Sequence, residues 1–175
     1  MTFKGGERVF KKGDTVIYGT GGVCRVDGIE QLAITGEKKD YYVLRPVFNS
    51  RSTHFVPLDS PVLMARMHSL LTPEGISELA AKFDSVEPEW IENEFERKAR
   101  YNAVLAENDR EAAMALIKAA RIHRENQARI GKKLHVLDER FIKDAKKQLR
   151  EEASFVLNTA IDDVLPFLDE EALAI

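Results

Sequence analysis

The sequence is poor in residues that build covalent or metal-centred frameworks. Its 175 residues include one cysteine, Cys24, which excludes an internal disulfide framework. The four histidines have no metal-type spacing to one another or to Cys24, so we expect neither a metal nor another cofactor. No run of 18 apolar residues occurs, so no membrane span or membrane partner is expected. The N-terminal residues lack an apolar core, which argues against a signal peptide and favours a cytoplasmic location.

Motifs of catalysis are also missing. The segment Gly19–Gly22 lacks a Gly-Lys-Ser/Thr ending and follows a predicted strand, so it predicts a tight turn and not a phosphate loop. Cys24 has no base beside it and is in period with Val26, which is typical of a small core residue. Paired acids such as Asp162 and Asp163 indicate solvated helix ends. We therefore expect no enzyme activity and no small-molecule substrate.

Charge is distributed unevenly along the chain, although the formal net charge is only −3. Residues 96–150 contain 15 basic and 8 acidic residues, a net charge of +7, whereas residues 59–95 carry −6 and residues 151–175 carry −7. A basic block between two acidic ones creates a local field that the whole-chain charge conceals. The block is a candidate surface for an anionic partner, and an ordinary solvated helical surface is the alternative.

Short β-branched and aromatic runs separated by turns predict five strands in the first third of the chain. They cover residues 14–18, 23–34, 40–48, 53–57 and 62–66. Five short strands at this spacing fit a small SH3- or Tudor-like barrel. The predicted fold class is α+β, with a barrel domain over residues 1–66 and an all-α helical bundle domain over residues 67–175.

Cap residues and apolar periodicity predict the helices of the second domain. The predicted starts are Thr72-Pro73, Pro88, Asp109 and Asp138, and the last acidic segment covers residues 160–175. The helix from Pro88 carries Trp90, the only tryptophan. Its predicted apolar stripe is Ile91, Phe95, Ala99, Asn102 and Leu105.

Trp90 lies about 100° from that stripe, and Arg97 lies within about 20° of Trp90. This arrangement allows two interpretations. In the first, Trp90 is an aromatic wedge beside an arginine that contacts phosphate. In the second, which the usual burial of tryptophan favours, the ring covers the edge of the core or packs on the neighbouring domain.

Basic residues are concentrated on the predicted helices. Lys143, Lys146, Lys147 and Arg150 fall within roughly 100° of arc on one helix. Further basic residues that could line the same side of the bundle are Arg97, Lys98, Arg100, Lys132 and Lys133. Such a side would contact the sugar-phosphate backbone without reading the base sequence. The alternative is that these charges serve solubility.

Six segments carry a family resemblance that covers nearly the whole chain from Phe10. They are Phe10–Glu30, Ile34–Val47, His54–Asp59, Glu87–Trp90, Arg97–Asp109 and Leu137–Leu149. Together they resemble the CarD/CdnL regulators of bacterial transcription. The barrel segments are also similar to the polymerase-interacting domain of transcription-repair coupling factors, so the barrel followed by the tryptophan-bearing helical domain is the more specific feature.

The resemblance implies a regulator with two attachment points. The barrel would bind the β subunit of bacterial RNA polymerase through an exposed strand edge, at a surface that includes Leu32, His54 and Phe55. The helical domain would lie on promoter DNA at the upstream edge of the melted region, without sequence specificity. Trp90 would enter the minor groove and the basic residues would contact phosphates, which stabilises the open complex. The implied location is cytoplasmic and nucleoid-associated.

Two departures from the family pattern keep a second hypothesis open. The segment 91–96 adds about one helical turn and three acids between Trp90 and Arg97. Leu32 and Phe55 stand at positions where family members often present basic residues. The competing hypothesis is a polymerase-binding protein-interaction adapter whose helical domain does not contact DNA.

Overall fold

The computed structural model describes residues 10–169, in which a five-stranded antiparallel sheet precedes the long helices. The strands are β1 (Thr15–Tyr18), β2 (Gly22–Leu32), β3 (Lys39–Pro46), β4 (His54–Pro57) and β5 (Met67–Ser69). Their order in the sheet is β4-β3-β2-β1-β5, so β4 and β5 are the edge strands. This architecture confirms the predicted α+β class. The sheet extends to Ser69, three residues into the range predicted to be helical.

One face of the sheet forms the first hydrophobic core. Its buried members are Val16, Cys24, Val26, Tyr42, Leu44, Val56 and Met67. Cys24 is fully buried, as its period with Val26 predicted, and burial raises the pKa of its thiol to about 12. The thiol is therefore protonated at neutral pH and serves as a small core side chain.

The predicted fifth strand over residues 62–66 is wrong. This segment forms a short helix, α1 (Pro61–Ala65), and the fifth strand follows it. The hydroxyl of Ser60 accepts a hydrogen bond from the Leu63 N–H at 3.4 Å, and Pro61 occupies the first helical turn. A serine cap followed by proline starts a helix more strongly than the β-branched Val62 favours a strand.

The longer helices are α2 (Pro73–Lys82), α3 (Glu94–Glu107), α4 (Arg110–Arg129) and α5 (Val136–Leu157). Thr72 and Asp109 cap α2 and α4 as predicted, since their side chains accept hydrogen bonds from Gly75 N and Ala112 N. The helices enclose a second core that includes Ile76, Tyr101, Val104, Leu116, Phe141, Leu149 and Leu168. Within residues 10–169, no helix is long and apolar enough to cross a membrane.

Two helix starts differ from the prediction. The helix expected from Pro88 begins only at Glu94, because Asn93 accepts a hydrogen bond from Glu96 N at 3.1 Å and acts as its cap. The helix expected from Asp138 begins at Val136, and His135 is its cap. Trp90 therefore lies in the non-helical segment before α3, and Asp138 lies inside the first turn of α5.

The two domains meet at the turn between β1 and β2. This turn is a short 3-10 helix, Gly19–Gly21, and agrees with the tight turn predicted from the glycines. The carbonyl of Gly19, which has a φ of 42°, accepts hydrogen bonds from Gln148 Nε2 at 2.9 Å and Asn108 Nδ2 at 3.4 Å. Gln148 also donates to the Leu105 carbonyl at 3.1 Å. These bonds join the sheet to α3 and α5.

Candidate nucleic-acid and protein interfaces

Trp90 lies half-buried at the edge of the helical domain. Its ring packs against a small cluster formed by Ala120, Leu134 and Ile142. It stacks on the imidazole of His123 with 4.0 Å between ring centroids and 17° between planes. The indole Nε1 is buried and has no hydrogen-bond partner among residues 10–169. These contacts agree with the interpretation that the ring covers the edge of the core, and the residue as a whole is only partly buried.

Arg97 is not the exposed phosphate contact that the sequence predicted. It is 6% exposed and forms an ion pair with Asp138, which is 1% exposed, with 2.8 Å between Nε and Oδ1. Its Nη1 donates hydrogen bonds to the carbonyls of Ile91 and Glu92 at 2.7 and 3.0 Å. The guanidinium also lies 4.6 Å from the centroid of the Trp90 ring. Arg97 therefore holds the segment that carries Trp90 and is not available to phosphate in this conformation.

Lys98 and Arg100, the next two basic residues, differ in whether their charges are paired. Arg100 donates two hydrogen bonds to the carboxylate of Glu89, at 2.9 and 3.1 Å, so its charge is neutralised within the domain. Lys98 is exposed, and no ion pair involves it among the described residues. Of this predicted pair, Lys98 alone presents a free charge to solvent.

Lys132, Lys133 and Lys143 are exposed and lie near Trp90 along the chain segments that pack on it. Lys132 and Lys133 directly precede Leu134, and Lys143 directly follows Ile142. Both apolar residues belong to the cluster against which Trp90 packs, so the three lysines lie at the same end of the helical domain. Within the described part of the chain these lysines form no ion pair. We call Trp90 with Lys132, Lys133 and Lys143 the tryptophan end.

The remaining predicted lysines do not present free charges. Lys146 is half-buried and lies 3.3 Å from Asp169 of the C-terminal segment. Lys147 is exposed but lies 3.7 Å from the carboxylate of Glu151, one turn further along α5. Helical periodicity placed all four basic residues of α5 on one face. Three of them form ion pairs, two with Asp169 and one with Glu151, so the face is not uniformly positive.

Phe95 was predicted on the core stripe of its helix and is instead 83% exposed. Ala99 and Asn102 of the same stripe are also exposed, whereas Arg97, Tyr101, Val104 and Leu105 are buried. The face of α3 that is buried therefore differs from the predicted one. Arg97 takes a core position because its ion pair with Asp138 is buried, and the predicted apolar stripe turns toward solvent. Phe95 lies between Glu94 and Glu96, so its surroundings are acidic.

Sequence reasoning missed the residues that hold the tryptophan end in place. His123 had no predicted role beyond lacking metal-type spacing and stacks on Trp90, while Asp138 was interpreted as a cap and pairs with Arg97. It also missed two exposed basic side chains, Arg129 at the end of α4 and Arg140 in α5, of which Arg140 lies 3.8 Å from Asp144. The only usable signal was the count of basic residues, because pairing over 41 residues leaves no local pattern.

The predicted protein-binding residues divide between two faces of the sheet. Leu32 of β2 lies opposite Lys39 of β3, and Phe55 of β4 lies opposite Val43 of β3. Positions 39 and 43 of β3 point to the same face of the sheet, so Leu32 and Phe55 also share that face. Phe55 is 42% exposed and lies on the edge strand β4. On this face the β3 residues between the pair, Tyr41 and Val43, are buried, so the two side chains do not form one continuous exposed surface.

His54 lies opposite Leu44 and so belongs to the core face of β4, which separates it from the surface of Phe55. Its ring lies 6.0 Å from the Tyr18 ring, and a Cβ atom at Gly21 would lie 2.7 Å from its Nε2. Burial lowers the pKa of His54. The histidine therefore packs against the turn at Gly21, and its role in partner binding stays a prediction.

Comparison with known families concerns the sheet domain. Residues 10–68 match the family model described as the CarD-like/TRCF RID domain. The match covers β1 to β4, α1 and most of β5. No curated protein matches the chain significantly.

Proposed function

The chain belongs, through residues 10–68, to the CarD-like family of RNA polymerase-interacting, transcription-related proteins, and from this premise we propose a two-point attachment. The sheet domain binds the β subunit of RNA polymerase, and the helical domain contacts promoter DNA at the upstream edge of the melted region. The observation that carries the proposal is the tryptophan end, where a half-buried tryptophan packs on a cluster whose sequence neighbours include three exposed lysines without an ion pair among the described residues. No catalytic step is required.

The proposed polymerase contact uses the free edge of β4. An edge strand presents unpaired N–H and C=O groups that a partner strand can bind, and alternate side chains then give specificity. Phe55 supplies an exposed apolar side chain on this edge, and Leu32 lies on the same face of the interior strand β2. The apolar character predicts a contact whose affinity depends less on salt than that of a basic surface would.

The proposed DNA contact uses the tryptophan end. Lys132, Lys133 and Lys143 would contact phosphates, and Lys98 would add a fourth charge nearby. The accessible part of Trp90 would enter the minor groove at the junction between duplex and melted DNA. Unstacking a base step costs a few kcal/mol, but at a melted junction the bases are already unstacked, so the ring can enter without this cost. His123 and Arg97 hold the ring in place beforehand, which lowers the entropy cost of inserting it.

The proposed effect on transcription is a population shift. A protein that binds the open complex more tightly than the closed complex moves the equilibrium toward melted DNA by its differential affinity. Attachment to polymerase raises the effective concentration of the helical domain at the promoter. A weak and non-specific DNA contact is therefore sufficient.

The proposal is tested with the full chain carrying Trp90→Ala, in a promoter-opening assay with polymerase. We expect a loss of open-complex stabilisation while β-subunit binding in a pull-down is unchanged. Phe95→Ala is the matched control, because it removes an exposed aromatic from an acidic part of the same domain. Equal promoter opening by the Trp90 variant and the unmodified chain would reject the wedge.

The adapter hypothesis remains the second candidate, favoured by the internal pairing of Arg97 and Arg100 and by the acids between residues 92 and 96. Salt dependence separates the two. Each phosphate contact contributes about 0.9 to the slope of log affinity against log salt. The double variant Lys132→Gln with Lys133→Gln should reduce the slope by about 2. A DNA affinity that is independent of salt and of these lysines would favour the adapter.

A further inference from the structure

The connection between α4 and α5, residues 130–136, exposes two aliphatic side chains that the proposed DNA contact does not use. Ile130 follows the last residue of α4 and is 63% exposed, and Val136 is the first residue of α5 and is 74% exposed. A single exposed aliphatic residue needs no explanation, but two at the ends of one short connection make it a candidate contact surface.

The backbone at the start of this connection is held in a fixed turn. The Lys132 N–H donates to the Gln127 carbonyl at 2.9 Å, and the Gly131 N–H donates to the Ala128 carbonyl at 3.0 Å. These two bonds form a Schellman motif, and Gly131 supplies the positive φ, 71°, that the motif requires. A contact made by this turn therefore loses little conformational entropy on binding.

Unpaired positive charges accompany the two aliphatic residues. Arg129, Lys132 and Lys133 are exposed, and no ion pair involves them among residues 10–169. The segment 129–139 has one exposed acid, Glu139, so three cations against one acid leave its exposed side chains with a net charge of +2. The charge of the connection therefore favours an anionic partner over a neutral or basic one.

The connection lies at the tryptophan end. Leu134, within the connection, is 5% exposed and belongs to the cluster against which Trp90 packs. Base faces are covered by stacking in a paired duplex, whereas a melted junction leaves them open to apolar side chains, isoleucine among them. A melted junction therefore offers phosphates to the cations and apolar faces to Ile130 and Val136.

We infer that Ile130 and Val136 give the DNA contact its selectivity for a junction between duplex and single strands. Their side chains pack on unstacked bases, while the three cations contact the phosphates beside them. Phosphates are present in a duplex as well as at a junction, so the cations supply affinity and the aliphatic pair supplies selectivity. The inference rests on the proposed function and adds to it an apolar contact separate from that of Trp90.

The test uses the full chain with Ile130→Ala and Val136→Ala, called the aliphatic variant. Fluorescence anisotropy measures its binding to two DNA probes over a range of salt concentrations. One probe is a fork with a duplex stem and two unpaired arms, and the other is a duplex of the same length. The matched control is Ile34→Ala with Val62→Ala, which removes the same pair of side chains from positions of the sheet domain that are 54% and 66% exposed. Circular dichroism checks that each variant is folded.

We expect the aliphatic variant to bind the fork about tenfold more weakly, which corresponds to about 1.4 kcal/mol and is of the order that burial of one aliphatic side chain contributes. Its salt slope on the fork should stay the same, because an apolar contact releases no counterions. Its affinity for the duplex, and both affinities of the control, should equal those of the unmodified chain.

Unchanged fork binding by the aliphatic variant, or an equal loss on both probes, would overturn the inference. The proposed function stands in either case if the double lysine variant described above binds both probes more weakly, and it fails if that variant binds as the unmodified chain does. Vesicles containing phosphatidylglycerol complete the test. Vesicle binding that the aliphatic variant loses, with DNA binding unchanged, would assign the pair to an anionic membrane surface and overturn the inference.

Discussion

Arg97 and Asp138 form a buried ion pair that joins the first turn of α5 to α3 across 41 residues of sequence, with 2.8 Å between Nε and Oδ1. The hydroxyl of Tyr101 donates to the same oxygen at 2.8 Å. Because Arg97 also donates to the backbone carbonyls of Ile91 and Glu92, the pair holds in place the segment that contains Trp90. The pair thus connects the stability of the helical domain to the position of the tryptophan end.

The first prediction concerns Asp138→Ala. Removing one partner leaves the guanidinium of Arg97 buried and unpaired, which typically costs about 3 to 5 kcal/mol. We expect a loss of this size in the free energy of urea unfolding, together with a change in Trp90 fluorescence. The control is Glu89→Ala, which breaks the more exposed pair with Arg100 and should cost about 1 kcal/mol or less. Similar losses for both variants would contradict a special role for the buried pair.

The second prediction concerns the hydrogen bonds between the domains. Gln148→Ala removes one donor from the Gly19 carbonyl and one from the Leu105 carbonyl. At about 0.5 to 1.5 kcal/mol for each bond, the free energy of unfolding should fall by about 1 to 3 kcal/mol. Residual dipolar couplings should also show a wider range of domain orientations. Gln31→Ala, at an exposed position of β2, is the control, and an equal effect there would reject the assignment.

The third prediction is a pH dependence caused by Glu151. Burial raises the pKa of this carboxyl, and the neighbouring Lys147 partly opposes the shift. A raised pKa means that the folded state holds the proton more tightly, so the ionised form destabilises the fold above that pKa. Glu151→Gln should therefore increase the free energy of unfolding near neutral pH. The gain should disappear as the pH falls below about 4.3, the ordinary value for glutamate. Urea titrations at several pH values measure the difference in the free energy of unfolding between the variant and the unmodified chain. A difference at pH 3 as large as that near neutral pH would contradict the argument.

The fourth prediction concerns the sheet edge. Phe55→Asp places a charge in the proposed apolar contact, so retention of the chain on immobilised β subunit should fall by at least tenfold, about 1.4 kcal/mol. Ile130→Asp introduces the same charge at a residue of the helical domain that is 63% exposed and should leave retention unchanged. Full retention of the Phe55 variant would move the polymerase contact to another surface.

Local signals in the sequence were sufficient for much of the fold. Alternating β-branched residues predicted four of the five strands, and the cap residues Thr72 and Asp109 predicted the starts of two helices. These features succeed because a cap or a strand pattern acts over a few residues. The prediction failed where two local signals competed. The cap at Asn93 starts α3, although Pro88 was expected to start it. The cap at Ser60, followed by Pro61, starts α1 where a strand was expected.

Long-range pairing explains the errors at the candidate site. Arg97, Lys146 and Lys147 were predicted to carry free positive charges, and no residue close in sequence to Arg97 or Lys146 indicates its partner. The partners of the first two, Asp138 and Asp169, are 41 and 23 residues away. Glu151, four residues after Lys147, could have been recognised as an i, i+4 partner from the sequence alone.

The two amides that donate to the Gly19 carbonyl have a mechanical consequence. They lie at the C-terminal cap of α3 and on α5, and the accepting oxygen lies in the turn between β1 and β2, so the sheet and the helices are joined at a point outside the covalent connection at residues 70–72. The span from the edge of β4 to Trp90 is then set by folded structure, and the protein can act as a ruler of constant length. Lengthening the connection with a few glycines should leave that span intact, because the two amides and the ion pair of Arg66 with Glu107 would still join the domains.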